Sequence, residues 1–258
     1  MKKSVLLLSG ASEGPVLARA LLDAGFGVVA TVTRQEGRHH LFGDMLHDVR
    51  VEVGGFTEES LQQYLAQGHT DLVLDATHPF AVRITQIASA VCTRTGMPYV
   101  RYQRPDWEPP EGTVYTTSYT KAADLLPSLG SRVLLTIGAK QLKHFAHLHN
   151  CLWLCARLLP SPTSIQQALD AGFTQAHILA MRPPFSRAFN ASLYREYKID
   201  VLVTKASGPA GGVVEKVLAA HDLGITTLMI QRPELPGLVT VSTIEAAVHA
   251  CQTHLHRG

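Results

Sequence analysis

The stretch VLLLSGASEGPVLARALLDAGFGVVATVT, residues 5–33, decides the fold class of this chain. It begins with a continuous apolar run, VLLLSG, and continues with the helix-like pattern PVLARALLDAG, which opens on proline and closes on glycine as helices prefer. A second apolar run, GVVATVT, follows directly. Because apolar strands joined by a helix are typical of a parallel sheet covered on both faces, the stretch predicts an α/β fold.

Segments of this kind occur twice, about 128 residues apart and in the same order. The matched pairs are VLLLSGA (5–11) with VLLTIGA (133–139), DLVLDAT (71–77) with DVLVTKA (200–206), and GMPYVRYQRP (96–105) with GITTLMIQRP (224–233). This internal repeat predicts two similar Rossmann-like domains, each with its own parallel sheet. A helix in TKAADLLPSLG is expected to close the first domain, as TIEAAVHACQTHL closes the second.

The join between the two domains is expected within residues 106–131. PDWEPPEG, at 105–112, has the proline and glycine content of an exposed turn or linker. The predicted division is therefore a first domain of residues 1–112 and a second domain of residues 113–258.

Composition excludes several classes of protein. The chain has 258 residues, 46% hydrophobic and 17% charged, with a formal net charge of +2, which argues against a nucleic-acid partner. No apolar stretch approaches the ~18 residues of a membrane span, and MKKSVLLLSG is too short for a secretion signal. The four cysteines form no CxxC pair, so we expect free thiols, no metal site and a cytoplasmic location.

Ligands of doubly wound sheets bind at the carboxyl ends of the strands. The first strand ends in SGASEG, residues 9–14, where glycine lets backbone N–H groups approach a phosphate. The full GxGxxG pattern is absent, so an ordinary tight turn is the alternative. The second strand ends in Thr33-Arg34, where arginine suits the 2′-phosphate of NADP, although a solvated surface arginine is equally common.

The fourth strand ends in DATHPFA, residues 75–81. Pro79 is expected to begin a helix at its first turn, with Thr77 or His78 near the cap. His78 is a candidate proton donor or ligand-orienting group near neutral pH. The alternative is a capping network that only organises the loop.

The second domain carries a lysine–glycine loop, VTKASGPAGGVVEKVLAA, residues 203–220. Lys205 and Ser207, with the amides near the loop glycines, predict an anion pocket at a helix N-terminus. The lysine precedes the glycines, which is the wrong order for a GxxxxGK[ST] phosphate loop, so a carboxylate-bearing substrate fits better than ATP. Arg104 and Arg232, each in a QRP segment, either bind anions or brace the next loop.

Together these segments resemble the precorrin-6A reductase family, in its metal-free or its cobalt-dependent form. The segments are DATHPFA (75–81), GMPYVRYQRPDW (96–107), LTIGAKQLKHF (135–145), AMRPPFSRAFN (180–190) and VTKASGPAGGVVEKVLAA (203–220), followed by IQRP. The resemblance implies two Rossmann-like domains with a cleft between them. It also implies NADPH-dependent reduction of one ring double bond of precorrin-6A or its cobalt complex, a step of cobalamin biosynthesis.

The resemblance implies that the first domain binds NADPH and the second binds the substrate's acetate and propionate arms. The implied catalytic residues are His78 and Lys205, with His78 or a bound water delivering the proton. The implied cofactor contacts are Gly10, Ala11, Ser12, Glu13, Thr33, Arg34 and Thr77. The implied substrate contacts are Arg104, Ser186, Lys205, Ser207, Gly208, Gly211 and Gly212. The expected partner is the tetrapyrrole substrate, and the expected assembly is a monomer or weak homodimer.

The chain departs from the family pattern at three places. SGASE, residues 9–13, stands where the family usually has GGT-E; Ala188 stands where a glutamate is common, and Ala206 where an aspartate often follows the lysine. TVTRQEG, residues 31–37, resembles the cobalt-dependent branch more closely, which favours the cobalt-containing substrate.

Two other functions fit parts of the sequence. Another NADP-dependent Rossmann oxidoreductase would carry a Tyr-xxx-Lys pair, and Tyr115 and Tyr119 before Lys121 do not have that spacing. A two-lobed binding protein for an anionic small molecule would not bind NADPH and usually carries an export signal.

Overall fold

The computed structural model describes residues 2–10 and 12–256. The strands are β1 (Ser4–Leu8), β2 (Gly27–Val32), β3 (Arg50–Val53), β4 (Leu72–Asp75), β5 (Tyr99–Tyr102), β6 (Val114–Thr116), β7 (Arg132–Leu135), β8 (Trp153–Leu158), β9 (Ile178–Ala180), β10 (Val201–Lys205), β11 (Thr226–Ile230) and β12 (Thr240–Val241). The α-helices are α1 (Glu13–Asp23), α2 (Gln35–Phe42), α3 (Glu58–Ala66), α4 (Val82–Thr95), α5 (Tyr119–Leu129), α6 (Pro162–Asp170), α7 (Arg187–Glu196), α8 (Val213–His221) and α9 (Ile244–His256).

The strands form two six-stranded parallel sheets with the same arrangement. Sheet 1 has the order β12-β5-β4-β1-β2-β3, and sheet 2 has the order β6-β11-β10-β7-β8-β9. The three repeated segments of the sequence lie on β1 and β7, β4 and β10, and β5 and β11, which are the matching central positions of the two sheets. The predicted α/β fold with two Rossmann-like sheets is therefore confirmed.

The chain divides into two compact units, but not at the position predicted from the sequence. Unit 1 comprises residues 1–105 and 233–258, and unit 2 comprises residues 106–232. The expected division at 112/113 assigned the C-terminal segment to the second domain, whereas β12 pairs with β5 and α9 packs on α1, both in unit 1. Similarly, β6 pairs with β11 and α5 lies in unit 2, so the helix expected to close the first domain belongs to the second.

The two units have thus exchanged their last strand–helix pair. The repeat makes β6–α5 the sequence equivalent of β12–α9. The pair β6–α5 follows the first copy of the repeat but joins sheet 2, and β12–α9 follows the second copy but joins sheet 1. Sequence similarity identifies equivalent segments but does not identify the sheet edge that each one joins. Both edges offer the same unpaired backbone groups, so the path of the connecting chain decides the pairing.

Both faces of sheet 1 are buried, as its apolar strands require. Val5 and Leu7 of β1 pack in a cluster with residues of α1, α2 and α9, while Leu6 and Leu8 pack in a second cluster with α3 and α4. In sheet 2, β7, β8, β10 and β11 contribute to a cluster with α7 and α8. None of the described helices combines the length and the apolarity needed to cross a bilayer.

Candidate active site

The turn after β1 leaves the N-terminus of α1 open. Ser12 precedes the helix without making a side-chain cap to its first amides. A Cβ at Gly10 would meet no heavy atom within 4 Å, whereas a Cβ at Gly14 would lie 1.9 Å from the Ser9 Oγ atom. Gly14 is thus required by packing, and Gly10 leaves room for a ligand at the helix end. Ala11, expected to contact the cofactor, lies outside the described residues.

The expected cofactor residues at the end of β2 lie on the surface. Thr33 and Arg34 are both exposed, and Arg34 takes the extended backbone conformation that precedes α2. The end of β2 adjoins the end of β1, because these strands are neighbours in sheet 1. The position suits a guanidinium that binds a phosphate at this edge of the sheet.

Glu13 and Arg104 form a buried ion pair with each other. The Arg104 Nε lies 2.6 Å from the Glu13 Oε1, and its Nη2 donates to the Glu13 Oε2 at 2.8 Å. Burial lowers the pKa of Arg104, and Glu13 opposes that change. The sequence analysis assigned Glu13 to the cofactor and Arg104 to the substrate, but the structure pairs them across 91 residues and favours a bracing role for Arg104.

Arg232, which ends the second QRP segment, has a comparable bracing position. Its Nη1 lies 2.9 Å from the Asp106 Oδ1, and its Nε donates to the carbonyl of Ala206 at 2.7 Å. The second contact holds the start of the lysine–glycine loop. Of the two alternatives considered for this arginine, bracing of the loop is the one that these contacts support.

A buried polar network lies under the DATHPFA segment. Asp75 is fully buried; its Oδ1 accepts from the Arg101 Nη1 at 2.6 Å and from the backbone N–H of Thr77 at 2.9 Å, and its Oδ2 accepts from the Tyr99 hydroxyl at 2.8 Å. Arg101 also donates to the Thr77 Oγ1 at 3.0 Å. Burial and the adjacent Asp75 raise the pKa of Tyr99, which stays a neutral donor. The network fixes the position of Thr77 at the end of β4.

Helix α4 begins later than predicted. Its first residue is Val82, with Ala81 at the cap, so Pro79 lies in a turn rather than in the first helical turn. The backbone N–H of Ala81 donates to the His78 carbonyl at 2.7 Å and closes this turn. The Phe80 N–H donates to the His78 side chain in the same turn, so residues 78–81 form a separate turn before the helix.

His78 is half-buried and its tautomer follows from one contact. Its Nδ1 accepts a hydrogen bond from the Phe80 backbone N–H at 3.2 Å. Because a backbone N–H can only donate, Nδ1 carries no proton in this arrangement and the neutral ring carries its proton on Nε2.

A cavity of about 1310 Å³ lies at the carboxyl edge of sheet 2. Its lining comes from the ends of β7, β8, β9 and β10 and from the start of α8. The lining residues are Thr136, Ile137, Gly138, Arg157, Leu158, Leu159, Met181, Pro183, Pro184, Phe185, Ser186, Phe189, Asn190, Lys205, Pro209, Gly211, Gly212, Glu215 and Lys216. The edge of sheet 2 therefore has room for a ligand of considerable size.

Four of the expected substrate residues line this cavity, namely Ser186, Lys205, Gly211 and Gly212. The Ser186 hydroxyl accepts from the Phe189 N–H at 3.1 Å and so caps α7. Three expected residues are not part of the lining: Ser207 and Gly208, which follow in the same loop, and Arg104, which is bound to Glu13 in unit 1.

Positive charge dominates the cavity. Burial lowers the pKa of Lys205 to about 8. Burial, together with the nearby charges of Arg157 and Lys205, lowers the pKa of Lys216 to about 7, and Glu215 opposes that change. Burial also lowers the pKa of Arg157. Glu215 is the one carboxylate in the lining, and its Oε2 is buried without a hydrogen-bond partner. An anionic ligand would relieve the repulsion among these cations.

The sequence analysis missed Arg157, Lys216, Arg101 and Tyr99. Arg157 and Arg101 each stand within an apolar strand, in WLCARL and YVRY, where a charge is costly unless it has an ionic partner or binds a ligand. That signal was present in the sequence. Within the described part of the chain, no cluster of three or more His, Cys, Asp or Glu side chains could hold a metal ion.

A family model described as precorrin-6x reductase CbiJ/CobK matches residues 4–252. The chain belongs to this family. The precorrin-6x reductases are oxidoreductases that act on a CH–CH bond, and the resemblance stated from the sequence motifs is confirmed.

Individual relatives within the precorrin-6x reductase family match nearly the whole chain. A cobalt-precorrin-6A reductase of Synechocystis sp. is 34% identical over 257 residues, which is 98% of this chain and 97% of that protein. A precorrin-6A reductase of Rhodococcus erythropolis is 39% identical over 248 residues, 95% of each chain. The solved structure of a CobK precorrin-6A reductase superposes with a TM-score of 0.81 at 27% identity, covering 98% of this chain and 97% of that one.

Proposed function

We propose that this protein reduces one ring double bond of precorrin-6A, or of its cobalt complex, with NADPH in cobalamin biosynthesis. The observation that carries the proposal is the family match, which extends over residues 4–252 and includes both sheets. We also propose that it acts in the cytoplasm as a monomer or weak homodimer. Equilibrium sedimentation of the purified protein measures the assembly directly.

The carboxyl edge of sheet 1 fits a dinucleotide phosphate. The open helix N-terminus beside Gly10 and the exposed Arg34 at the neighbouring strand end are the groups that would hold NADPH there. NADPH supplies a hydride to one carbon of the reduced double bond when it is bound. The protein's own contribution is to orient the reactants and exclude water.

The cavity of sheet 2 suits the substrate better than it suits the cofactor. A corrinoid precursor carries acetate and propionate arms around an apolar ring, and the cavity combines Lys205 and Lys216 with the stacked rings of Phe185 and Phe189. The backbone N–H groups of Ser207, Gly211 and Gly212 donate to carbonyls within the loop, so the charge that binds a carboxylate comes from the lysine side chains. We assign the substrate to this cavity, and Lys205 to the binding of one of its carboxylate arms.

His78 acts in this proposal as a neutral hydrogen-bond donor, and water delivers the proton. An imidazolium would need a proton on Nδ1, which faces the donating N–H of Phe80. Glutamine offers a comparable N–H without titrating, so His78→Gln should keep single-turnover reduction within about fivefold of wild type, whereas His78→Ala should lose more. A glutamine variant as impaired as the alanine variant, with a pH-dependent rate in wild type only, would restore His78 as the acid.

The proposal is tested by titration and turnover of the purified protein. NADPH and NADH are titrated separately by fluorescence, and we expect NADPH to bind at least tenfold more tightly. Anaerobic assays then use metal-free and cobalt-containing precorrin-6A, and the resemblance of residues 31–37 to the cobalt-dependent branch favours turnover of the cobalt complex. A protein that binds neither nucleotide, or that reduces neither corrinoid, would refute the proposed function.

A further inference from the structure

Arg157 differs from the other buried arginines in its lack of an acidic partner. Arg101 is 1% exposed and lies beside Asp75, and Arg104 is 6% exposed and lies beside Glu13. Arg157 is 8% exposed, and no carboxylate in the described part of the chain lies within 4 Å of its guanidinium. A buried cation without a counter-ion is costly, and the free energy can be recovered when a ligand brings the opposite charge.

The guanidinium of Arg157 is held in one orientation by neutral groups. Its Nη1 donates to the Asn190 Oδ1 at 2.7 Å, and the Asn190 Nδ2 donates to the Ser186 carbonyl at 2.9 Å, which fixes the amide. The guanidinium carbon lies 4.5 Å from the centre of the Phe185 ring. These contacts orient the guanidinium and leave its charge uncompensated, and the side chain lines the cavity.

Two further features of the cavity identify the kind of ligand. Lys216 lies in the same lining and is close enough to Arg157 for their charges to interact. Phe185 and Phe189 stack with their ring centres 5.3 Å apart, and Phe189 is 41% exposed although it is large and apolar. The cavity therefore offers a fixed guanidinium and a second cation beside an apolar aromatic surface.

We infer that Arg157 is a specificity-determining residue that binds a carboxylate arm of a ring-shaped polycarboxylate, with Lys216 binding a second carboxylate. The bound guanidinium–carboxylate pair supplies the counter-ion that the protein lacks, and the ring lies against Phe185 and Phe189. The inference rests on the proposed function for the ring as a corrinoid. The carboxylate requirement rests on the cavity alone.

The test compares two stable corrins that differ only in their arms. One is a corrin with free acetate and propionate side chains, and the other is the same ring with those side chains amidated. Binding is followed by quenching of intrinsic fluorescence in wild type, Arg157→Met, Arg157→Lys and Lys216→Met. Arg182→Met is the matched control, because Arg182 is exposed and lies outside the lining.

We expect wild type to bind the carboxylate corrin at least tenfold more tightly than the amidated one. Arg157→Met should lose most of that preference through a tenfold to hundredfold weaker affinity for the carboxylate corrin, with the amidated corrin changed less than twofold. Arg157→Lys and Lys216→Met should lie between, and Arg182→Met should match wild type. An Arg157→Met variant with the wild-type preference would overturn the inference, as would equal affinity of wild type for both corrins.

Folding and function are read separately in the same experiment. NADPH affinity and the circular dichroism spectrum identify a variant that has failed to fold, in which case Arg157→Lys and Lys216→Met decide the outcome. If wild type reduces precorrin-6A and Arg157→Met keeps its KM, the inference fails and the proposed function stands. If wild type reduces neither corrinoid but the carboxylate preference depends on Arg157, the function fails and the inference stands.

Discussion

Sheets 1 and 2 have the same strand order, but their carboxyl edges differ in how a buried arginine is neutralised. By strand register, Asp75 and Arg101 of sheet 1 correspond to Thr204 and Met229 of sheet 2. In sheet 1 the Arg101 Nη1 lies 2.6 Å from the Asp75 Oδ1, so the arginine is neutralised within the protein. The equivalent positions of sheet 2 are uncharged. The charge of sheet 2 lies instead at Arg157, on the strand equivalent to β2, and faces a cavity.

This difference indicates how one architecture serves two roles. Internal neutralisation makes the edge of sheet 1 a rigid platform, in which the Asp75 network positions Thr77 and the Glu13–Arg104 pair ties α1 to the segment after β5. In the proposed function, an anionic ligand compensates the charge at the edge of sheet 2. The two edges thus differ in the partners of their arginines rather than in the fold, which is common to both.

The largest expected effect comes from breaking the buried pair of sheet 1. Asp75→Ala leaves Arg101 buried without its counter-ion and should lower the free energy of unfolding by about 3–5 kcal/mol. The double variant Asp75→Thr, Arg101→Met installs the residues of sheet 2. It should cost less than the single variant, because it also removes the two Arg101 nitrogens that are buried without partners. Urea unfolding followed by circular dichroism measures both; a double variant less stable than Asp75→Ala would contradict this account.

The turn after β1 contains one glycine that packing requires, Gly14, and one that the proposed function places beside the cofactor, Gly10. Gly14→Ala should cost about 1–3 kcal/mol, because the added Cβ overlaps the Ser9 side chain. Gly10→Ala meets nothing within 4 Å and should leave stability within about 0.5 kcal/mol of wild type, yet weaken NADPH binding. Thermal unfolding and NADPH titration of the two variants distinguish these effects. Equal NADPH affinity of Gly10→Ala and wild type would remove this turn from the cofactor site.

The lysines of sheet 2 predict opposite pH trends for stability and for ligand binding. Burial lowers the pKa of Lys205 to about 8 and that of Lys216 to about 7, so above pH 7 the folded state loses these protons before the unfolded state does. Because the unfolded state then binds more protons, these two lysines should make the ligand-free protein more stable as pH rises from 7 to about 10.

Affinity for the carboxylate corrin should fall over the same range, because the neutral lysines no longer attract it. Lys216→Met should flatten both curves. Urea unfolding and corrin titration at intervals of one pH unit provide the two curves. A ligand affinity that rises from pH 7 to 10 would be incompatible with carboxylate binding by these lysines.

The smallest expected effect concerns Thr204, the counterpart of Asp75. Its Oγ1 is buried without a hydrogen-bond partner, so its desolvation is not compensated. Thr204→Val has nearly the same shape without the hydroxyl and should raise the free energy of unfolding by about 1 kcal/mol. Asp75→Val in sheet 1 should instead be strongly destabilising, and it serves as the matched comparison. A Thr204→Val variant less stable than wild type would show that the hydroxyl has a partner in solution.

Much of the site could be predicted from local signals. Lys205 and the glycines after it follow an apolar strand, and their place at a strand end follows from the sequence pattern. Arg157 could not be assigned in this way, because an arginine in an apolar strand is compatible either with a buried ion pair, as for Arg101, or with a ligand site. The choice depends on whether an acid from a distant segment reaches it. The helix start at Pro79 was mispredicted for a related reason, since the His78 side chain and carbonyl accept the N–H groups of Phe80 and Ala81 and form a separate turn.

The sequence by itself determined the α/β class, the two-fold repeat and the family, because strand and helix periodicities and short motifs are properties of neighbouring residues. The tertiary structure alone decided the exchange of β6–α5 and β12–α9 between the sheets. It also decided which arginine meets an acid, as in Arg104 and Glu13, 91 residues apart. These outcomes depend on the path of the chain between distant segments, and on which charges that path leaves buried without a partner.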